Sequence, residues 1–286
     1  MKPDFSFVTY SKLPQLDPDD LLVVERLTER GVKCSAAVWD DPSVDWANAG
    51  TCVVRSTWDF HLNPHAFAQW IQHVSSKTRL FNQASLMLWN MRKTYIEDLS
   101  RRGVPTVPTI FFRAGEKIDL ASLMETHAWH DAIVKPVVGL ATYGVKRFSR
   151  EPSSLAGSQQ HANKLLKDCD VMVQPYMPSV EAYGERALVF LGGEFSHAVR
   201  KMAFQPLAVA GQAGETPVEA SAAEREVGSK ALACVDGPTL YARVDVVPDS
   251  NNQPRVLELE LIEPSLFLAM NEHATERFAA ALLNAR

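Results

Sequence analysis

Three carboxylates near the C-terminal end of the chain have the spacing of a metal site. Glu258 and Glu260 stand two apart in the predicted strand 255–262, so both point to one face while leucines fill the other. Asp245 lies on the preceding predicted strand, 241–247. If these strands pair, the three carboxylates converge, and such hard oxygen ligands suit Mg²⁺. A solvated acidic edge is the alternative, although unpaired carboxylates on an inner strand are costly.

A glycine-containing loop stands between two predicted strands earlier in the chain. Gly139 and Gly144 are five residues apart, but the residues after Gly144 do not match a P-loop, and a strand follows instead of a helix. Lys135 lies on the strand before the loop. This arrangement predicts a flap that turns backbone N–H groups and one lysine towards a triphosphate. An ordinary hairpin is the alternative.

The end of another predicted strand has the character of a hinge. Gln174, Pro175, Tyr176 and Met177 close that strand and enter a connector between two lobes. Such a segment exposes backbone N–H and C=O groups to a flat base, although Pro175 has no N–H. A simple interdomain linker is the alternative.

The elements that must position these residues change character along the chain. Over residues 1–105, predicted strands alternate with helices, as in an open parallel α/β sheet. After the proline-rich connector at 104–108, strands joined by loops and helices predict an α+β lobe, and hairpin-like strands follow it. We also predict one helix over 86–103 and a loop over 208–222.

The composition limits the class of function. The chain has 286 residues, of which 46% are hydrophobic and 22% charged, which is enough for a sizeable core. Its net charge of −5 disfavours a nucleic-acid binder. It has no apolar run of membrane-spanning length, no evident signal peptide, and four cysteines that are far apart. We therefore expect a cytoplasmic protein with no nucleic-acid or membrane partner.

The order of the polar residues along the chain resembles the ATP-grasp superfamily, in its glutathione-synthetase-like branch. The ordered set comprises Lys93, Lys135, the loop 139–144, residues 174–177, Gly184, Glu185, Lys201, Asp245, Glu258 and Glu260. The segments 8–10, 17–20, 38–42 and 55–59 are similar to the subgroup of cyclo-ligases that close the D-cycloserine ring. The resemblance covers nearly the whole chain. It implies an ATP-grasp fold, ATP and Mg²⁺ as cofactors, and C–N ligation.

The resemblance also implies a role for each matching position. Asp245, Glu258 and Glu260 would hold Mg²⁺, although many relatives have Asn where this chain has Glu260. Lys201 would act near the γ-phosphate. From its place on the Asp245 strand, Arg243 would orient the acceptor carboxylate or stabilise an oxyanion; an ion pair with Glu258 or Glu260 is the alternative. The implied ATP-binding residues are Lys93, Lys135, Gly139, Thr142, Gly144, Gln174, Pro175, Tyr176, Met177, Glu181 and Glu185.

Residues suited to the acceptor substrate follow the first and third predicted strands. Arg55, Thr57, Trp58 and Asp59 leave the third strand, and open parallel sheets place ligand loops at the carboxyl ends of strands. Arg55 suits a carboxylate, and Asp59 suits an ammonium or ureido group. Tyr10 leaves the first strand at the same edge. A packed aromatic is the alternative for Trp58.

We predict three lobes: an N-terminal substrate-binding lobe (1–105), a lid (106–178) and a C-terminal catalytic lobe with an antiparallel sheet (179–286). The predicted enzyme activates a carboxylate as an acylphosphate for attack by an amine-type nucleophile, on a small amino-acid-like substrate. A phosphotransferase of the same fold, or an ATP-binding protein without ligation, is the alternative. The resemblance leaves a homo-oligomer open. Glu263 is either a further polar group of the site or a turn residue beside Pro264.

Overall fold

Three β-sheets form the framework of the protein. The computed structural model describes residues 2–140, 142–202 and 214–285. Each of the three predicted lobes holds one of the sheets. Among the described residues, no helix has the length and apolar character that crossing a membrane requires.

The N-terminal lobe is a parallel sheet with helices in its connections. Its strands are β1 (Phe5–Thr9), β2 (Cys34–Val38), β3 (Thr51–Ser56) and β4 (Leu80–Phe81), in the order β2-β1-β3-β4. Its helices are α1 (Pro18–Glu29), α2 (Pro64–Ser75), α3 (Ala84–Asn90) and α4 (Tyr95–Arg101). Asp17 caps α1 by accepting a hydrogen bond from the Asp19 N–H, and Pro18 suits the first turn because it has no N–H to leave unpaired. The prediction of an open parallel α/β sheet is confirmed.

The lid is an antiparallel sheet of four strands. Its elements are β5 (Ile110–Phe112), α5 (Leu120–Thr126), β6 (Asp131–Pro136), β7 (Lys146–Ser149), α6 (Pro152–Leu165) and β8 (Val171–Pro175). The strand order is β5-β8-β6-β7, so β6 and β8, which carry Lys135 and Gln174, are the two inner strands. The glycine-containing loop connects β6 to β7 at one end of this sheet.

The C-terminal lobe is an antiparallel sheet of five strands with helices beside it. Its strands are β9 (Glu185–Leu191), β10 (Glu194–Lys201), β11 (Glu215–Val218), β12 (Tyr241–Pro248) and β13 (Pro254–Glu260), in the order β11-β10-β9-β12-β13. Its helices are α7 (Ser179–Ala182), α8 (Ala222–Ala233) and α9 (Ala274–Asn284). Strand β12 is inner and buried over nearly its whole length, so any charge on it needs a partner.

The prediction of a loop over 208–222 is wrong in part. Residues 208–213 lie outside the described residues. Glu215–Val218 form β11, which pairs with β10, and Ser221 begins α8 through a capping box with Glu224. The region therefore contributes an edge strand and a helix start to the C-terminal lobe.

The single helix predicted over 86–103 is divided into α3 and α4. The side-chain amide of Asn90, the last residue of α3, donates a hydrogen bond to Leu259 O at 2.8 Å. The backbone N–H of Lys93 then bonds to Val137 O in the lid at 3.0 Å. Because these partners come from other lobes, no local sequence signal marks the break.

Two buried asparagines fasten the N-terminal lobe to the C-terminal lobe. The amide of Asn82 donates to Tyr241 O at 2.9 Å, and its oxygen accepts from Leu240 N at 2.7 Å. The oxygen of Asn90 accepts from Leu261 N at 2.8 Å. One hydrophobic core draws on both lobes and includes Phe5, Phe7, Val53, Leu266 and Phe278. The carboxyl end of β3 is therefore held in a fixed relation to β12 and β13.

Candidate active site

The three carboxylates predicted to converge do so across one pair of strands. Strands β12 and β13 are antiparallel, with Asp245 opposite Glu258 and Arg243 opposite Glu260. One oxygen of each of Asp245, Glu258 and Glu260 lies within 4.8 Å of the others. Such an all-oxygen donor set fits Mg²⁺, which binds through carboxylates together with substrate phosphates.

Two basic side chains hold Asp245 from either side. Arg243 donates to both of its oxygens, Nε to Oδ1 at 2.9 Å and Nη2 to Oδ2 at 3.0 Å, and also pairs with Glu260. Lys201 Nζ lies 2.6 Å from Asp245 Oδ2 and 3.0 Å from Glu185 Oε2. The ion-pair alternative for Arg243 is thus present in the structure, and its main partner is a carboxylate of its own strand.

Burial and the neighbouring charges shift the pKa values of the three carboxylates in different directions. Burial works against ionisation of Asp245, but Arg243 and Lys201 outweigh it and lower the pKa below its ordinary range. For Glu258, burial is likewise outweighed by Lys93 and Lys135, so its pKa is also lowered. Burial raises the pKa of Glu260 to about 7, despite the opposing charge of Arg243. At neutral pH two of the three carboxylates are anionic and the third is close to its midpoint.

Lys93 connects the carboxylate cluster to the glycine-containing loop. Its Nζ lies 2.9 Å from Glu258 Oε1 and donates to Gly139 O at 2.6 Å. The break between α3 and α4 brings this side chain into the site, because its own N–H bonds to Val137 of the lid. Lys93 therefore contacts two parts of the site that the sequence predicted separately.

Lys135 lies on β6 with its ammonium directed into the same region. Burial lowers the pKa of Lys135, with Glu258 opposing that shift and Lys93 adding to it. Within the part of the chain that the structure describes, Lys135 forms no ion pair. It is a partly buried cation with Glu258 near it but no carboxylate in direct contact, which leaves the ammonium available to an anionic ligand.

The glycine-containing loop rests on the N-terminal lobe. Gly144 has φ +66°, and a Cβ there would lie 2.8 Å from Pro136 Cδ, so the turn requires glycine. Thr142 is exposed, and Ala141 lies outside the described residues. The ring of Tyr143, next to Gly144, lies 5.0 Å from the ring of His61. The loop therefore covers the seam between the lid and the N-terminal lobe.

The hinge has one free backbone donor. Tyr176 N is occupied by Asp131 O at 2.9 Å, and Pro175 has no N–H. The side chain of Gln174 bonds to Thr109 Oγ1 at 2.9 Å. The N–H of Met177 has no hydrogen-bond partner among the residues that the structure describes. An adenine edge read at this hinge would therefore be read by Met177.

The two glutamates in the implied ATP-binding set, Glu181 and Glu185, differ in their surroundings. Glu181 is exposed and accepts from Tyr176 Oη at 2.8 Å and from Arg147 Nη1 at 2.9 Å. The Arg147 guanidinium lies 3.5 Å above the Tyr176 ring, so Glu181 belongs to a contact with the lid. Glu185 is bound to Lys201 and lies beside the carboxylate cluster.

Arg55 is buried in an ion pair. Its Nε lies 2.8 Å from Asp20 Oδ1, and its Nη2 donates to Pro264 O at 2.8 Å. The guanidinium also lies 4.8 Å above the Tyr241 ring. Only Nη1 lacks a partner within the described ranges, so a substrate contact by Arg55 would use that single nitrogen.

The other acceptor residues line the carboxyl end of β3. Trp58 Nε1 donates to Glu263 O at 3.2 Å, and its ring lies 6.2 Å from that of Tyr10. Asp59 Oδ1 accepts from Trp39 Nε1 at 2.8 Å. Thr57 is fully buried. Through Trp58, the structure thus brings the carboxyl end of β3 against the segment that follows the carboxylate cluster.

Two further residues lie at the site: Asp20 was given no site role from the sequence, and Glu263 was left open between a polar group of the site and a turn residue. Asp20, the partner of Arg55, stands in the first turn of α1, where acids are expected for the helix dipole alone. Glu263 is buried beside the cluster, and its pKa is raised well above the ordinary range by burial and by Glu260. Its only sequence signal is its place after the Glu-x-Glu pattern.

Comparison with known proteins identifies related chains over most of the length. Residues 6–82 match a family model described as the N-terminal domain of D-cycloserine synthetase DcsG. The cycloserine biosynthesis protein DcsG of Streptomyces lavendulae is 32% identical over an alignment of 285 positions, and the match covers 93% of this chain and 93% of that protein.

Solved structures agree with this similarity. The crystal structure of D-cycloserine synthetase DcsG has a TM-score of 0.91 and 30% identity, covering 98% of this chain and 99% of that chain. The D-alanine–D-alanine ligase of Bacillus anthracis in complex with ATP has a TM-score of 0.67 and 15% identity, covering 99% and 95%. The second likeness shows that the fold is shared with a more distant ligase.

Proposed function

The chain belongs to the D-cycloserine synthetase DcsG family of ATP-grasp ligases, and from that membership we propose that it closes a ring within one small amino-acid-like substrate. In the proposed reaction, ATP phosphorylates the substrate carboxylate, and an amine-type nitrogen of the same molecule attacks the acylphosphate. The new C–N bond forms as phosphate leaves. The coarser activity, that of an ATP-dependent ligase, follows from the family itself.

The carboxylate cluster and the cations around it are the observation that carries the proposal. The oxygens of Asp245, Glu258 and Glu260 fit Mg²⁺, which when bound neutralises phosphate oxygens. Lys135 contributes a partly buried cation that forms no direct ion pair among the described residues, and Lys93 stands between the cluster and the loop. Charge placed in advance around a transferring phosphoryl group is the main contribution an enzyme makes to this chemistry.

The chemistry of the ring indicates the substrate class. Opening the C–N bond of D-cycloserine gives O-amino-D-serine, a D-amino acid whose aminooxy nitrogen can attack its own carboxyl carbon. Such a molecule needs a site for its carboxylate near the phosphate and a separate site for its α-amine. We place both groups of the substrate against the contact between Trp58 and Glu263, beside the cluster.

Product analysis tests this proposal. The protein is incubated with ATP, Mg²⁺ and a panel that contains D- and L-serine, O-amino-D-serine and its N-carbamoyl (ureido) form, and ADP and free phosphate are measured together with cyclised product. We expect equal ADP and phosphate only with the aminooxy-type D-amino acids. ADP without free phosphate would indicate a phosphotransferase, and no turnover with any compound would contradict ligation.

Variants of the cluster supply the control for this assay. Asp245→Asn and Glu258→Gln are expected to lower Mg²⁺-dependent turnover at least about 100-fold. Asp249→Asn is the matched control, because Asp249 is also a carboxylate near the end of β12 but pairs with Arg255 at 2.8 Å outside the cluster. Turnover that survives in the first two variants would contradict the metal assignment.

A further inference from the structure

Glu263 is a buried carboxyl group that no described residue satisfies. It is 5% exposed and follows β13 by three residues. Its Oε2 is fully enclosed without a hydrogen-bond partner, and among the described residues its side chain forms no ion pair. A buried polar group left without a partner costs about 1–3 kcal/mol, so its retention calls for an explanation.

Neither a structural nor a metal-binding role explains this side chain. A turn-forming carboxylate would accept a backbone N–H, and Glu263 accepts none within the described ranges; its carbonyl oxygen, not its carboxyl, makes the contact with Trp58. The carboxylate oxygens that meet within 4.8 Å belong to Asp245, Glu258 and Glu260. Glu263 therefore stands beside the cluster without belonging to it.

A second unsatisfied oxygen belongs to the residue before Trp58. Thr57 is 0% exposed, and its Oγ1 has no hydrogen-bond partner among the described residues. It is adjacent to Trp58, whose indole donates to Glu263 O at 3.2 Å. Each of the two segments that meet at the Trp58–Glu263 hydrogen bond thus carries one buried oxygen without a partner among the described residues.

The local charge favours a cationic donor. Burial raises the pKa of Glu263 far above its ordinary range, Glu260 and Glu258 add to the shift, and only Lys93 and Arg243 oppose it. A ligand that brings N–H donors and a positive charge would satisfy both oxygens and allow Glu263 to ionise. An ammonium group has both properties.

We propose that Glu263 and Thr57 form the subsite for the α-ammonium group of the substrate. The inference rests on the proposed function, since it assumes an amino-acid-like ligand. In an α-amino acid one carbon separates the ammonium from the carboxylate. An ammonium held by Glu263 keeps the reacting carboxylate near the cluster, and the subsite selects amino acids over simple carboxylic acids.

Calorimetric binding with a matched pair of ligands tests the subsite. The protein is loaded with Mg²⁺ and a non-hydrolysable ATP analogue and titrated with O-amino-D-serine or with 3-(aminooxy)propanoate, which lacks only the α-amine. We expect the wild type to prefer the amine-bearing ligand by at least about 30-fold, the range for removing one partner of a buried charge pair. Glu263→Gln should bind the two ligands within about threefold of each other.

Two more variants separate this role from a structural one. Glu272→Gln is the control, because the Glu272 side chain is 86% exposed, and it should keep the wild-type preference. Thr57→Val should lose part of the preference, roughly two- to tenfold. The melting temperature of Glu263→Gln should equal or exceed that of the wild type, since no contact within the described chain is lost.

The possible outcomes distinguish the subsite from the ligase activity. If Glu263→Gln keeps the preference for the amine, or if the wild type has none, the subsite is wrong. Phosphate release is scored separately with the same ligands. Release by the wild type together with an unchanged preference in Glu263→Gln would overturn the subsite alone. Amine-dependent binding that Glu263→Gln abolishes, without phosphate release, would support the subsite and contradict ligation.

Discussion

Loss of the Glu260 proton should make the metal-free protein less stable as the pH rises. Burial, with Glu258 and Asp245, raises the pKa of Glu260 from 4.5 to about 7 against the opposing charge of Arg243. Between these values the folded protein keeps a proton that the unfolded chain has lost. The free energy of unfolding therefore falls as the pH rises from about 4.5 to 7. Glu260→Gln, which mimics the protonated acid, should remove this contribution.

The size of the effect follows from the shift. A difference of roughly 2.5 pH units corresponds to at most about 3 kcal/mol. At about 2–4 °C per kcal/mol, the melting temperature of Glu260→Gln relative to the wild type should rise by about 6–12 °C between pH 4.5 and 7.5. The Glu260 side chain is 21% exposed, so solvent screening reduces the observed value below this limit.

Thermal unfolding of both proteins in EDTA, across this pH range, measures the difference directly. Asp17 also has a raised pKa, about 6, but it titrates in both proteins and cancels in the comparison. With Mg²⁺ and nucleotide present, metal affinity of the wild type should increase roughly tenfold from pH 6 to pH 8, because the ligand must lose its proton. A difference in melting temperature that does not change with pH would refute the reasoning.

Three other substitutions test separate parts of the structure. Lys135→Met should weaken ATP binding at least about tenfold in a calorimetric titration while leaving the melting temperature unchanged, because the ammonium has no ion pair to lose among the described residues. Asp20→Asn should lower the free energy of unfolding in urea by about 3–5 kcal/mol, since it leaves the Arg55 charge buried without its partner. Gly184→Ala should cost about 1–2 kcal/mol and lower ATP turnover, because φ is +76° and the new Cβ would lie 2.7 Å from Lys201 O; full activity and stability would contradict this.

Local patterns in the sequence were sufficient to predict those parts of the site that depend on residues close together along the chain. The alternation of Glu258 and Glu260 and the adjacent strand of Asp245 predicted a cluster of carboxylates, and the strands pair accordingly. Antiparallel pairing of consecutive strands needs only a short connection, so this part of the site is encoded almost entirely in one segment.

Contacts between lobes could not be predicted from such patterns. The helix expected over 86–103 is broken by partners of Asn90 and Lys93 in other lobes. Arg55 was assigned to a ligand, and the structure pairs it with Asp20, which the sequence marks only as a helix-start residue. Burial without a partner, the property that distinguishes Glu263, has no sequence signature at all.

The asparagine contacts between the outer lobes also constrain recombination of this protein. The connector before the lid pairs with β13 through Val107 N to Val256 O at 2.9 Å and Val256 N to Pro105 O at 2.8 Å, and the chain returns at Tyr176. The lid is therefore one contiguous cassette between two anchored ends. A chimera that takes the lid from a homologue keeps the hydrogen bonds of Asn82 and Asn90 to the C-terminal lobe. An exchange of the N-terminal lobe alone would have to supply side chains that meet the Tyr241 and Leu259 carbonyls in the same geometry as Asn82 and Asn90.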